Sequence, residues 1–84
     1  MKLVLIDWID SHSGNGWQSL DDMKGFAKAL HCRSIGWLLV RNKDCTTVVP
    51  HIYDDSKNKN IKPNGCGELV IPNKCITKMR VLNL

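Results

Sequence analysis

The chain opens on a nearly continuous apolar run, "KLVLIDWI", broken at Asp7; its length suits one strand and is short for a helix. Gly14, Asn15 and Gly16 then impose a turn, because these residues take positive φ at little cost. Next, "SLDDMKGFAKALH" puts Leu20, Met23, Ala27 and Leu30 on one helical face, with Ser19 and Asp22 spaced as a capping box. One short helix is predicted over residues 19–31, weakened by Gly25, which costs about 1 kcal/mol relative to alanine in a helix interior. Beyond it the period falls to two. "RSIGWLLVR" alternates Ile35, Trp37 and Leu39 against Ser34, Gly36 and Leu38, and the β-branched "CTTVVPHIY" returns after a tight "NKD" turn. Pro50 cannot donate to a ladder, so this second strand lies at an edge or bends there. Residues 54–67 read as a polar loop, and "GELVIPNKCITKMRVL" as a strand, a one-turn bend at residues 72–75 and a closing strand.

Five short strands with one inserted helix predict a mainly β fold: a small, strongly bent SH3-like or Sm-like barrel, formed as one domain over residues 1–84. Such barrels serve many purposes, so the architecture alone names no function.

Size adds a constraint. Eighty-four residues are near the lower limit for a single unstapled core, and chains this short often bury further apolar surface by oligomerising. No apolar run approaches the roughly 20 residues needed to span a bilayer, and Asp7 and Asp10 interrupt the N-terminal run too early for a signal peptide. A cytoplasmic protein is expected. Cys32, Cys45, Cys66 and Cys75 offer no C-x-x-C pair, so neither a zinc knuckle nor a disulfide framework is read from them; they are expected to be small buried hydrophobes. The net charge of +4 is uneven, with six lysines and arginines against three acids over residues 54–84 and six against five before that. A basic C-terminal third suits an anionic partner, nucleic acid or phosphorylated small molecule; it equally suits a solvated lysine loop.

Catalysis finds little support. Asp7 and Asp10 are three apart on a strand and face opposite ways. His12 beside Ser11 and Ser13, and His31 beside Cys32, are too close in sequence to form a nucleophile–base pair. No hydrolase elbow, zincin, P-loop or dinucleotide fingerprint is present, and no cofactor is expected.

Binding is better supported. Trp8, Trp17 and Trp37 each adjoin turn or small residues and could stack a base, an interaction worth about 1–3 kcal/mol. Ser11, Ser13 and the Gly14–Gly16 backbone could form an anion-binding nest, Asp10 could meet a ribose hydroxyl, and Arg33 next to Ser34 could pair a phosphate, with His51 a further candidate. Each has a plainer reading. Trp8 and Trp37 also suit the core or a subunit interface, while Asp10, Ser11 and Ser13 also suit the loop's own backbone.

The segments "DWIDSHSGNGWQSLDDM", "CRSIGWLLV", "VVPHI" and "GCGELVIPNKCITKMRVL" together resemble a group of short bacteriophage proteins. That group shares a W-x-D-S…G-W loop, a C-x-S-x-G-W-L strand and a final I-P-x-x-x-I-x-x-x-R segment. The resemblance spans the chain outside residues 54–64 and implies a phage accessory protein acting in the cytoplasm of an infected bacterium. Small phage proteins of similar size sequester nucleotide immune signals, such as cyclic ADP-ribose isomers or cyclic oligonucleotides. By that analogy the expectation is a non-catalytic, homo-oligomeric anti-defence binder of such a signal. Two alternatives stay open: an Sm-like nucleic-acid-binding module, and a protein-binding inhibitor of a host enzyme.

Overall fold

Strand β1 (Leu3–Asp10) organises the molecule. Its Val4 and Ile6 are fully buried, Leu5 on the opposite face is nearly so, and this two-sided burial explains the unbroken apolar run at the start of the chain. The computed structural model describes residues 1–54 and 57–83; Asp55 and Ser56 of the polar loop and the final Leu84 lie outside the described residues.

The chain continues through a helix α1 (Leu20–Gly25) and the strands β2 (Leu30–Arg41), β3 (Cys45–Val49), β4 (His51–Tyr53), β5 (Asn64–Cys66) and β6 (Leu69–Pro72). A 3₁₀ turn (Asn73–Cys75) then leads to β7 (Ile76–Leu82). Five strands form one antiparallel sheet in the order β6-β3-β2-β1-β7, and β4 and β5 form a second, two-stranded sheet. The fold is therefore mainly β, as the alternation predicts. Val4, Ile6, Val48 and Ile71 make the core, with Trp8, Leu38, Leu69, Cys75, Ile76 and Met79 packed against it.

Several local predictions have clear physical counterparts. Ser19 Oγ accepts from the Asp22 amide at 3.1 Å and so caps the helix. In the "NKD" turn, Asn42 Oδ1 accepts from the amides of Asp44 and Cys45. Chain direction changes at Pro50, which separates β3 from β4 and moves the chain between sheets. Gly36 is needed where β2 crosses β3: a Cβ there would lie 3.1 Å from Val48 Cβ and 3.3 Å from the Val49 backbone. Gly67, at φ 78°, makes the turn between β5 and β6.

Other expectations are corrected. The helix covers residues 20–25, not 19–31, because Leu30 and His31 extend β2 by pairing with Asp10 and Ile9. Leu20 and Met23 do not face a core, since no α1 residue is buried. The polar loop contains β5, whose "NGC" carries no apolar alternation and is held by pairing with β4. The cysteines are free, but none is fully buried and Cys66 is exposed.

Shape sets this molecule apart from a compact domain. Its radius of gyration is 17.5 Å and its extents are 60 × 26 × 25 Å, whereas a compact chain of this length has a radius of about 12 Å. The pairing registers show the cause. β7 leaves β1 at Trp8↔Ile76, and β2 meets β3 only from Trp37 onward. Ile9↔His31 and Asp10↔Leu30 pair with each other alone, so residues 9–31 project as an arm. No helix among the described residues is long and apolar enough to cross a membrane.

A polar tie fastens the body. Thr46 is fully buried and its hydroxyl donates to Asn73 Oδ1 at 2.7 Å. Asn73 in turn donates from Nδ2 to the Asn42 carbonyl at 2.8 Å and from its backbone to the Asp44 carbonyl at 2.8 Å. The 3₁₀ turn is thus fastened to the β2–β3 hairpin. Thr46→Val should keep the shape but strand the Asn73 carbonyl, lowering unfolding free energy by about 1–3 kcal/mol. Urea unfolding measures this, and an unchanged midpoint would show the tie to be dispensable.

Candidate functional site: a cationic cleft at the base of the arm

Where β1 leaves the body, its register places Asp7 opposite Arg33 on β2 and opposite Lys78 on β7. Directly opposed residues share a sheet face, so one carboxylate stands between two cations. Arg33 Nε donates to Asp7 Oδ1 at 2.7 Å. The Arg33 side chain is 71% exposed and that of Asp7 27%, so the pair contributes only about 0–1 kcal/mol of stability. Its main consequence is positional. Asp7 fixes the guanidinium through Nε, and a guanidinium has further N–H donors on its outer edge.

The β1–β7 register shifts between Asp7 and Trp8, opening the ladder at this level. Thr77 occupies the irregularity and donates from its hydroxyl to the Asp7 carbonyl at 3.1 Å. Trp8 is half-buried against the core, and its indole Nε1 donates to Ser34 Oγ at 3.0 Å. These features surround a solvent-open cleft of about 430 Å³ lined by Asp7, Trp8, His31, Cys32, Arg33, Thr77 and Lys78. Its formal charge balance is positive: Arg33 and Lys78 face one carboxylate, Asp7, which Arg33 already engages.

The candidates named from sequence divide among three places. Trp8 and Arg33 line the base cleft, with Ser34 behind Trp8. Ser13, Gly14 and Gly16 line a second open cleft of about 430 Å³ on the arm, together with His12, Gln18, Met23 and Phe26. Trp17 is fully exposed and lines neither cleft. Asp10 Oδ1 accepts from the Ser11 amide at 2.8 Å, the local backbone contact of its plainer reading. His12 Nε2–H donates to the Lys28 carbonyl at 3.0 Å and holds the two sides of the arm together. Trp37 is half-buried in the body, in register with Leu3 and Val49, and His51 lies on β4.

Sequence reading did not find Lys78 or Thr77 as cleft residues, nor His31 except as a neighbour of Cys32. Their approach to Asp7 depends on strand registers, one of them about seventy residues apart in sequence. The excess charge of "NKCITKMR" was the available signal. Among the described residues no group of three or more histidine, cysteine or acidic side chains could hold a metal ion. Comparison of the chain with protein-family models, curated proteins and solved structures finds no match.

Two substitutions separate the roles of these contacts. Trp8→Phe keeps an aromatic ring but removes the bond to Ser34, and should lower unfolding free energy by about 1 kcal/mol. Asp7→Asn, by contrast, should change stability by no more than about 1 kcal/mol, because the ion pair it removes is exposed. Denaturant titration of both variants checks the assignment; a large loss for Asp7→Asn would make Asp7 a structural residue.

Proposed function

We propose that this chain is a non-catalytic binding protein that sequesters a nucleotide-derived signal in the cleft at the base of the arm. The observation that carries this reading is the grouping of Arg33, Lys78 and His31 in one open cleft of about 430 Å³ that Trp8 and Cys32 also line. Small-molecule sites are typically about 300–1,000 Å³ and combine an apolar wall with a few placed polar groups. Here Trp8 and Cys32, which line the cleft, are assigned that wall. Arg33, aimed by Asp7, and Lys78 meet phosphate oxygens, which guanidinium and ammonium groups bind by charge-assisted hydrogen bonds.

The proposed ligand class is a cyclic ADP-ribose-type molecule or a cyclic oligonucleotide, which pairs planar bases with closely spaced phosphates. Resemblance to short phage proteins supplies the setting: an anti-defence protein in the cytoplasm of an infected bacterium. The architecture we assign to it is an SH3-like barrel. In support, the strand order places the first and last strands side by side, with a one-turn 3₁₀ segment just before the last strand. Barrels of this kind carry function on their loops and sheet faces, consistent with a cleft at the root of the long β1–β2 connection.

A second reading, nucleic-acid binding, is favoured by one observation. Arg80 lies two residues beyond Lys78, opposite Leu5, so it extends the same cationic face along β7. Salt dependence distinguishes the two. A single-stranded nucleic acid should lose affinity with a slope of about −0.7 per phosphate contacted.

Calorimetric titration with cyclic ADP-ribose and cyclic dinucleotides tests the proposal. One of these classes should bind and be recovered chemically unchanged after the protein is denatured. Arg33→Ala and Lys78→Ala should each weaken that binding about tenfold or more while leaving the unfolding midpoint in place. Absence of binding across both classes, or conversion of the bound molecule, contradicts the reading.

A further inference from the structure

The end of the arm is more apolar than its surroundings can satisfy. Trp17 is fully exposed, and Leu20, Phe26 and Met23 are 74%, 63% and 45% exposed. Helix α1 has six residues and none is buried, whereas isolated helices shorter than about 12–15 residues are marginal in water. Beside it lies the arm cleft, partly walled by Met23 and Phe26 and floored near Gly14 and Gly16. Knob and socket are therefore neighbours on one surface, yet Trp17 does not enter the socket of its own chain.

We propose that the arm is the interface of a two-fold dimer, in which Trp17 of each copy enters the arm cleft of the other. Self-complementarity of this kind is what a two-fold interface requires, since one patch must fit its own copy. The available area is sufficient. These four residues expose on the order of 600 Å² per copy, so complete burial in a pair removes at most about 1,200 Å² from them, the lower end of a standard stable interface. Charge sets the direction. Asp21 and Asp22 begin α1, Lys24 ends it and Lys28 follows. An antiparallel crossing sets the acids of each copy against the lysines of the other, whereas a parallel crossing opposes like charges. A buried tryptophan at the centre of such a patch is the usual form of an interface hot spot. The inference is independent of the ligand reading, because none of these residues lines the base cleft.

Sedimentation equilibrium of the full chain tests it. The wild type should show twice the 9.5 kDa chain mass. Trp17→Ser should raise the dimer dissociation constant about tenfold or more. Asp21→Lys/Asp22→Lys and Lys24→Glu/Lys28→Glu should each sediment as monomers, and an equimolar mixture of the two should regain the dimer mass. These side chains are exposed, so circular dichroism and the urea midpoint of the dilute variants should match the wild type, which separates lost association from lost folding. A monomeric wild type at the highest soluble concentration, or a mixture that stays monomeric, overturns the proposal. Neither result bears on nucleotide binding at the base cleft, and failure of that binding leaves the expected masses unchanged.

Discussion

Everything in this structure depends on where the pairing of β1 changes. Up to Trp8 it is hydrogen-bonded on both sides, to β2 and β7; beyond Trp8 it has β2 alone. The doubly paired part carries Val4 and Ile6, which are fully buried and anchor the core. The singly paired end, Ile9 and Asp10, cannot be covered on both faces, and Asp10 is exposed. At the boundary the ladder is irregular, Thr77 fills the shifted register, and Asp7 stands between Arg33 and Lys78. The cationic cleft is a direct product of that boundary.

This division assigns different work to the body and the arm of a short chain. The body has a modest core, reinforced by the buried Thr46–Asn73 bond that locks the 3₁₀ turn to the β2–β3 hairpin. The arm is held by the strand pairs Ile9↔His31 and Asp10↔Leu30, the Ser19 cap and the His12–Lys28 bond. On the proposed reading, residues that cannot find a core within the chain meet another copy, while charged residues nearer the body meet a small anionic ligand. On this account the tryptophans have separate roles. Trp37 packs in the body, Trp8 bridges core and cleft, and Trp17 serves association.

Much of the scaffold was legible in the sequence because its signals are local. The period-two alternation around Trp37, the Asn42 turn, the break at Pro50 and the bend after Pro72 each correspond to an element or its boundary. The helix was overextended for a physical reason. Leu20, Met23, Ala27 and Leu30 have helical spacing, but cross-strand pairing of Leu30 with Asp10 extends β2 and leaves the helix one and a half turns long. β5 was missed because Asn64, Gly65 and Cys66 have no strand-like pattern and depend on β4 for their pairing. The same limit applies to the cleft. Arg33 and Trp8 stood out by residue type, but the approach of Lys78 follows from the β1–β7 register, and no short-range pattern encodes that. The spread of site candidates over arm, cleft and body has the same origin: neighbours in "DWIDSHSGNGW" are separated by the length of the arm.

The central claim is that the base cleft, and not the arm loop, receives the ligand. It is tested most directly by amide and side-chain NMR shifts recorded while a cyclic ADP-ribose-type molecule or cyclic dinucleotide is added to labelled protein. The account predicts the largest changes at the Arg33 Nε–H and the amides of Trp8, His31, Thr77 and Lys78. Shifts centred instead on Ser13, Gly14, Gly16 and Trp17, with the base cleft undisturbed, would contradict it.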